Sequence, residues 1–438
     1  MNLFVIILAI IIGLILIEMC KNKARTYMNY GSFFCIIWSI VIAFSNSGLF
    51  EFVLPSSIVN VSMLIGLLVF GSLYFFFSSR RLVNESDVVY NSTVRINLII
   101  IANVIVFFFM MPVFIKAIGV INSNGYMYLR SIAGIGSEEL GVTSLKDVIL
   151  QCICYPSTVA TLLVGVRKIF LREKGSVIIT VLAAVNLTIY CFAHAARNGF
   201  IFAIIIVVLT AIDNKIRSGK QAKQNKKRMG VFQKLLIVLL VVAAVYIVLY
   251  ISGKRASGSN SLVENIYLYF FAGPSFLTRL LERYPQFLNG DELLYGAATF
   301  GFIFNLFSIP LNIIGFSLPN SDYIINSQLT SGSLNISNNV RVNAMSTVYF
   351  PWLVDWGYFG IILGPVFLAI ATIYIEKKRW VQRNIRWDCI GVFWYYLLYR
   401  TIFKYDGISI SFFFILFFIF WFTSKPRIHV ALHQKRGI

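Results

Sequence analysis

The chain has 438 residues, of which 58% are hydrophobic and only 13% are charged, and its formal net charge is +20. A soluble domain usually carries about 25% charged residues, so this composition excludes an ordinary soluble fold and indicates a membrane protein. The six cysteines and three histidines form no spacing typical of a metal or redox site. We therefore expect neither a metal nor another cofactor.

Apolar runs of about 20 residues, the length that spans a bilayer, recur along the whole chain. The first begins at Leu3 and lacks the basic start and the cleavage site of a signal peptide, so it is predicted to be an uncleaved helix. We predict an all-α polytopic membrane protein with about eleven transmembrane helices. They are placed at residues 3–19, 31–49, 58–77, 96–115, 148–166, 176–194, 199–213, 235–252, 353–375, 387–403 and 407–424.

Lysine and arginine residues concentrate in every second loop. These segments hold 27 of the 38 Lys and Arg residues, and loops rich in positive charge face the cytoplasm. The N-terminus is thus predicted outside and the C-terminus in the cytoplasm. The densest basic stretch, residues 215–234, follows the seventh helix, and this topology explains its charge without nucleic-acid binding.

One predicted outer loop is unusually long. Residues 253–345 separate an N-terminal membrane region of eight helices, 1–252, from a C-terminal region of three, 346–438. Two apolar stretches lie in the loop, at 266–281 and 295–318. Counting the second as a span would place the basic residues after helix nine outside, so both are interpreted as interfacial or re-entrant elements. A further pair of spans is the alternative, and it preserves the remaining orientation.

Arginines near the outer face are candidates for function, because charge beside a membrane core is costly. Arg197 lies in the tight turn after helix six and is suited to a diphosphate, since a guanidinium binds phosphate oxygens bidentately. The alternative is an arginine that snorkels to lipid headgroups. Arg255, beside Lys254, follows helix eight, and Arg341 lies near the end of the long loop.

Other polar candidates surround these arginines. Asn343 belongs to a segment rich in Asn and Ser that suits sugar hydroxyls, although such residues are equally common in turns. Asp355 lies among aromatic residues typical of a membrane interface. The loop acids Glu282, Asp291 and Glu292 could supply a general base. His194 is the only histidine predicted to face outward, and a packed histidine at a helix end is the alternative.

Several short segments resemble one family of enzymes. Asn343-Ala-Met-Ser-Thr347 followed by Asp355-Trp-Gly357-Tyr-Phe-Gly360 resembles a signature of Wzy-type polymerases, which join oligosaccharide repeat units of bacterial O-antigens and capsules. Tyr269-Phe-Phe-Ala-Gly273-Pro-Ser, Gly296-Ala-Ala-Thr-Phe300 and Ala196-Arg197-Asn-Gly199 are similar to other parts of that family. Related ligases carry an outer-loop histidine that residues 253–345 lack, which leaves the general base open.

The resemblance implies a membrane glycosyltransferase of GT-C-like architecture, acting on the outer face of the bacterial cytoplasmic membrane. It implies that a glycan moves from undecaprenyl diphosphate to a new lipid-linked repeat unit. Arg197 and Arg341 would hold the diphosphate, with Arg255 in support, and Asp355, Asn343 and the loop acids would serve the acceptor.

The implied partners are the undecaprenyl-diphosphate-linked oligosaccharide, the lipid bilayer and a chain-length regulator protein. A flippase of lipid-linked oligosaccharides is one alternative, but few mid-span charges and no internal repeat are visible. A ligase that shares the leaving group is a second alternative.

Overall fold

The computed structural model is almost entirely helical in the residues that it describes. These are residues 1–24, 26–78, 88–91, 93–133, 139–194, 196, 198–217, 235, 238, 239, 242, 245, 246, 262–316, 318, 320–330, 332–337, 340–342, 345–382, 384–424 and 427–430. The predicted eighth helix, at 235–252, therefore lies largely outside the described residues.

The α-helices are numbered in chain order. They are α1 (Leu3–Ala24), α2 (Tyr30–Ser45), α3 (Ser57–Phe77), α4 (Ile96–Ile132), α5 (Ser144–Ile149), α6 (Tyr155–Leu171), α7 (Ser176–Ala193), α8 (Asn198–Arg217), α9 (Leu262–Phe271), α10 (Gly273–Arg283), α11 (Gln286–Asn289), α12 (Gly301–Ile313), α13 (Tyr349–Trp356), α14 (Gly360–Gln382), α15 (Ile385–Arg400) and α16 (Ile410–Phe422). Short strands are β1 (Val88–Asn91), β2 (Leu334–Asn335), β3 (Arg341–Val342) and β4 (Arg427–Val430). Two π-helical segments are Leu150–Cys154 and Tyr323–Leu329.

Seven helical stretches in the described ranges are long and apolar enough to cross a membrane. An all-α membrane protein is therefore the correct class, as composition predicted. The predicted eleven spans include these seven, whereas α2 and α16 are shorter apolar helices and the total number stays a prediction. The seven stretches are Leu3–Ala24, Ser57–Phe77, Ile96–Tyr126, Leu145–Leu171, Ser176–Ala193, Asn198–Lys215 and Tyr349–Gln382.

The chain divides into two compact units, of which the first comprises Met1–Val83, Asn260–Lys377 and Leu397–Phe412. In this first unit α1, α2 and α3 pack against one another. Gly31 permits a close approach, because a Cβ there would lie 2.2 Å from the ring of Tyr74. The Tyr74 hydroxyl in turn donates a 2.7 Å hydrogen bond to the buried Glu376 carboxylate. Small and polar residues thus join these helices, as is usual where lipid provides no hydrophobic drive.

The second unit comprises Asn84–Ser259, Lys378–Tyr396 and Phe413–Ile438. Its helices α4, α6 and α7 share a buried amide network. The Asn103 amide donates to Thr161 Oγ1 at 2.8 Å, and the Asn186 amide donates to Asn103 Oδ1 at 3.1 Å. Because each amide is paired, these buried polar groups hold three helices together.

A buried ionic network lies at one end of the helices of the second unit. Arg167 binds Asp213 at 3.2 Å and Asp388 at 2.8 Å, and Arg379 binds Asp213 at 2.5 Å. All four side chains are less than 10% exposed. In the described contacts two cations face two anions, so removal of one member would leave a buried charge with fewer partners. These residues flank loops that the charge pattern places in the cytoplasm.

The second unit also contains a small antiparallel ribbon that the apolar pattern does not predict. Strand β1 pairs with β4, with Val88 opposite Val430. The pairing continues beside the ribbon, where the Ser424 N–H donates to the Thr93 carbonyl at 2.8 Å. The segment before α4 is thereby joined to the segment after α16.

The predicted helix at 353–375 is divided in the structure. Helix α13 ends at Trp356, Gly357 has a φ of +54°, and α14 begins at Gly360. A residue with a side chain would be strained at that φ, so glycine permits the break. The long loop predicted at 253–345 contains helices α9 to α12 in its described part. Helices α9 and α10 cover the first apolar stretch, and α12 covers the middle of the second.

Candidate functional site

Asp355 lies on α13 in the first unit and is completely buried. Its Oδ1 accepts a 2.9 Å hydrogen bond from the Ala298 N–H, and its Oδ2 accepts a 2.5 Å bond from the Thr299 N–H. The turn before α12 is therefore anchored on α13. Both carboxylate oxygens of Asp355 have backbone donors, which gives this residue a structural task that the sequence did not indicate.

The segment around Thr347 joins the same cluster. The Thr347 N–H donates to the Phe403 carbonyl at 3.0 Å, and the Thr347 φ of +58° is unusual for a β-branched residue. Gly273 packs closely against Ile402 and Thr347. A Cβ at position 273 would lie 2.7 Å from the Ile402 carbonyl oxygen and 2.9 Å from Thr347 Cγ2. The Tyr405 hydroxyl donates to the Thr299 carbonyl at 3.0 Å.

Four of the segments that carried the family resemblance thus meet in one place. They are the segments that contain Gly273, Thr299, Thr347 and Asp355. The aromatic residues between them divide into two groups: Tyr349 and Phe350 are buried, whereas Tyr358 and Phe359 are exposed. Only the second group is exposed as expected for a membrane interface.

A group of arginines lies in the same unit as this cluster. Arg341 Nε donates to Asn335 Oδ1 at 2.8 Å, and Arg279 Nε donates to the Asn335 carbonyl at 3.3 Å. Arg283 lies one helical turn after Arg279 on α10, and its guanidinium borders Gly332. We call Arg279, Arg283 and Arg341 the arginine surface. Arg283 and Arg341 are exposed, and Arg279 is partly exposed.

The predicted loop acids are also exposed. Glu282 forms a 2.7 Å ion pair with Arg279 and therefore belongs to the edge of the arginine surface. Asp291 and Glu292 lie in the turn that follows α11, and Glu292 has a φ of +58°. Of the three acids, only Glu282 forms an ion pair in the contacts of the described residues.

A second charged group in the first unit was missed by the sequence analysis. Arg400 binds Asp406 through Nε at 3.0 Å and Nη2 at 3.2 Å, and Lys404 Nζ approaches the same carboxylate at 3.8 Å. Burial raises the pKa of Asp406, but the charges of Arg400 and Lys404 outweigh it and the pKa lies below its ordinary value. The only sequence signal was two cations and one acid within seven residues.

His194 lies at the C-terminal end of α7 in the second unit and is partly exposed. Its ring stacks on Tyr190 with centroids 4.2 Å apart, and Tyr190 packs against Tyr155 at 4.8 Å. His194 Nδ1 is 3.0 Å from the Tyr190 carbonyl oxygen. Asp147, which is buried, interacts with the imidazole electrostatically. The sequence singled out His194 but not this environment.

Three predicted site residues lie outside the described residues: Arg197, Arg255 and Asn343. Their assignments stay predictions from the sequence. Within the part of the chain that the structure describes, no group of three or more His, Cys, Asp or Glu residues is arranged to hold a metal ion.

No protein-family model, curated protein or solved structure matches the chain.

Proposed function

We propose that this chain is a polymerase of lipid-linked oligosaccharide repeat units, acting on the outer face of a bacterial cytoplasmic membrane. It transfers a growing glycan from undecaprenyl diphosphate to the sugar of a new lipid-linked repeat unit. In this proposal the N-terminus lies outside and the C-terminus lies in the cytoplasm, as the distribution of basic loops predicts.

The convergence of the resembling segments is the observation that carries the proposal. Thr299 contacts Asp355, Gly273 contacts Thr347, and residues 402–405 touch both pairs, so the resembling segments belong to one set of linked contacts. Unrelated chance matches would have no reason to pack together. This packing supports an architecture shared with the polymerases that the segments resemble. The residues that act on the substrates have to lie outside these buried contacts.

The arginine surface supports a diphosphate ligand. The guanidinium groups of Arg279 and Arg341 approach Asn335 from two different segments. Arg341 is exposed, and Arg279 is partly exposed. A planar guanidinium binds two phosphate oxygens at once and keeps its charge at all relevant pH values. Such groups stabilise the negative charge that develops on a leaving diphosphate without a metal.

The reaction needs no oxidant and no external energy source. An acceptor hydroxyl oxygen forms a bond to the anomeric carbon of the donor glycan as the bond from that carbon to the diphosphate oxygen breaks. The electron pair leaves with undecaprenyl diphosphate, and the hydroxyl proton passes to a base. Arginines on the leaving group lower the barrier by matching the charge of the transition state.

A strain that lacks the gene tests this proposal. The surface glycan of the deletion strain is separated on a gel and compared with that of a strain carrying the wild-type gene. We expect single repeat units on the final acceptor in the deletion strain and a ladder after complementation. Loss of every repeat unit from the acceptor, with lipid-linked polymer retained, would indicate a ligase. Unpolymerised repeat units trapped on the cytoplasmic side would indicate a flippase.

A further inference from the structure

Asn335 joins two members of the arginine surface. Its side-chain Oδ1 accepts a 2.8 Å hydrogen bond from Arg341 Nε, and its main-chain carbonyl accepts a 3.3 Å bond from Arg279 Nε. We propose that Asn335 is a positioning residue, which orients the Arg341 guanidinium to bind a phosphate group of the donor diphosphate. The assignment rests on the proposed function, and all of its residues belong to the first unit.

A small hairpin places Asn335 and Arg341 directly opposite each other. Strands β2 and β3 pair antiparallel with these two residues in register, and both side chains are exposed. The neighbouring residues along the two strands are buried, namely Ile336, Val340 and Val342. Because successive residues of a strand point to opposite faces, the polar pair occupies the outward face of the hairpin. Residues in register across two strands are close enough for their side chains to interact.

The hairpin is attached to the rest of the first unit. The Val53 N–H donates a 2.7 Å hydrogen bond to the Ile336 carbonyl, and the Ile336 N–H donates to the Val340 carbonyl at 3.0 Å. Helix α10, which carries Arg279, packs against β2. The backbone on either side of Asn335 is therefore held in place. A group that is oriented before its ligand arrives loses less entropy on binding.

The hydrogen bond with Asn335 uses only one of the five N–H groups of Arg341. Among the described residues no other group forms a hydrogen bond or an ion pair with this guanidinium, and the side chain is exposed. The terminal nitrogens Nη1 and Nη2 form the fork that binds two oxygens of one phosphate group. Asn335 thus restricts the guanidinium of Arg341 without using the donors that a phosphate needs.

Arg279 is less suited than Arg341 to be the main phosphate ligand. Its Nη1 forms a 2.7 Å ion pair with Glu282, so an acid already offsets its charge. Arg283 and Arg341 have no acid partner among the described residues. The arginine surface therefore carries three guanidinium groups and one carboxylate, and the positive excess suits a diphosphate.

The first test measures binding of inorganic diphosphate to the full-length protein in detergent by titration calorimetry. Asn335→Ala removes Oδ1 but keeps the main-chain carbonyl, and we expect the dissociation constant to rise about tenfold. Asn335→Asp keeps an acceptor for Arg341 but adds a negative charge that opposes the ligand, so binding should weaken by about tenfold or more. Both variants should melt close to the wild type, because the position is exposed.

The two variants separate a positioning role from a purely structural one. A residue that only stabilised the hairpin would tolerate Asn335→Asp, because the hydrogen bond to Arg341 is kept. Asn289→Ala removes another exposed asparagine of the same unit and is the matched control, which should bind like the wild type. Wild-type binding by Asn335→Asp, or no binding of diphosphate by the wild type itself, overturns the assignment of Asn335.

A double-mutant cycle shows whether Asn335 acts through Arg341. In an Arg341→Ala background, Asn335→Ala should cause no further loss of binding, because the side-chain contact is already broken. In an Arg279→Ala background it should still weaken binding about tenfold, since the contact of Arg279 is with the main chain. Additive losses from Asn335→Ala and Arg341→Ala would contradict the proposal.

Two further arms identify the source of the phosphate and separate the proposals. Phosphatidylglycerol added to the micelles has a single phosphate group, and we expect it to compete at least about tenfold more weakly than inorganic diphosphate. Equal competition would assign the surface to lipid headgroups and overturn the donor assignment. Polymer formation from lipid-linked repeat units is measured separately. Absence of polymer from the wild type, with the expected binding pattern, overturns the proposed function, whereas normal polymer from Asn335→Asp overturns the role of Asn335 alone.

Discussion

The carboxylate of Asp355 and the backbone N–H of Thr299 form a 2.5 Å hydrogen bond in the interior of the first unit. The second carboxylate oxygen accepts from Ala298, so one buried side chain holds the turn that leads into α12. The Asp355 carboxylate therefore has a structural role. Without it, the backbone N–H groups of Ala298 and Thr299 would lose this hydrogen-bond acceptor.

Asp355→Ala is therefore expected to destabilise the protein. Each buried donor that loses its partner costs about 1–3 kcal/mol, and this variant leaves two. The melting temperature of the detergent-solubilised protein should fall by several degrees, and the amount of protein in the membrane should fall with it. Asp291→Ala, which removes an exposed acid, is the matched control and should melt like the wild type. A normal melting temperature with abolished transfer would instead favour a catalytic Asp355.

The buried network of the second unit leads to a second prediction. Asp388→Asn removes one of the two carboxylates that contact Arg167 in the described network, and breaking such a buried pair costs about 3–5 kcal/mol. We expect a marked drop in melting temperature, and a partial recovery when Arg167→Met is combined with Asp388→Leu. The exposed pair Lys21–Glu18 supplies the control, since Glu18→Gln should change little. A thermally normal Asp388→Asn variant would show that the network does not stabilise the helices.

The predicted orientation can be tested by cysteine labelling, because all six native cysteines are buried and should react slowly. Single cysteines are placed at two exposed positions, Glu292 and Lys174. An impermeant maleimide applied to intact cells should label Glu292→Cys and should miss Lys174→Cys until the membrane is opened. The reverse result would invert the topology and would place the arginine surface in the cytoplasm.

The arginine surface leads to a prediction about geometry as well as charge. Arg279→Lys and Arg341→Lys keep the positive charge but lose the planar fork that binds two phosphate oxygens. We expect each to reduce the polymer ladder about tenfold or more at normal protein level. Arg130→Lys is the matched control, because Arg130 is an exposed arginine on the same predicted side.

If all three lysine variants give equal ladders, the arginine surface does not bind the diphosphate. A loss confined to Arg279→Lys would have a different meaning, because that residue also binds Glu282. In that event Glu282→Gln should reproduce the defect. The variant Arg197→Lys tests the corresponding prediction from sequence, and we expect it to lose the ladder as well.

Much of the helical framework could be predicted from the sequence. An apolar run of about 20 residues is typical of a membrane-spanning helix, because a helix pairs its backbone groups within the bilayer. The predicted helix at 176–194 agrees closely with α7, Ser176–Ala193. The end of α4 was missed, since the helix continues past the predicted residue 115 to a break at Gly125, where φ is +84°, and a second helical segment follows it to Ile132. Helix length beyond the bilayer depends on packing and on caps, and hydropathy reports neither.

The site was harder to predict than the helices, because its contacts join residues distant in sequence. Asp355 was recognised as unusual, but its partners Ala298 and Thr299 could not be identified from spacing. Arg400 was placed inside a predicted helix at 387–403, where an arginine near the end suggests only an interfacial residue. Its bidentate contact with Asp406 depends on the chain turning back after α15, which no local pattern indicates.

Polymerisation by the purified protein is the central claim and can be measured directly. The wild-type chain in detergent is mixed with lipid-linked repeat units from the deletion strain, with and without a chelator, and the products are separated by size. We expect a ladder of lengthened glycans with release of one lipid diphosphate per transfer, in both conditions, because arginines rather than a metal stabilise the leaving group. Unchanged repeat units, or a ladder that disappears with chelator and returns with magnesium, would contradict it.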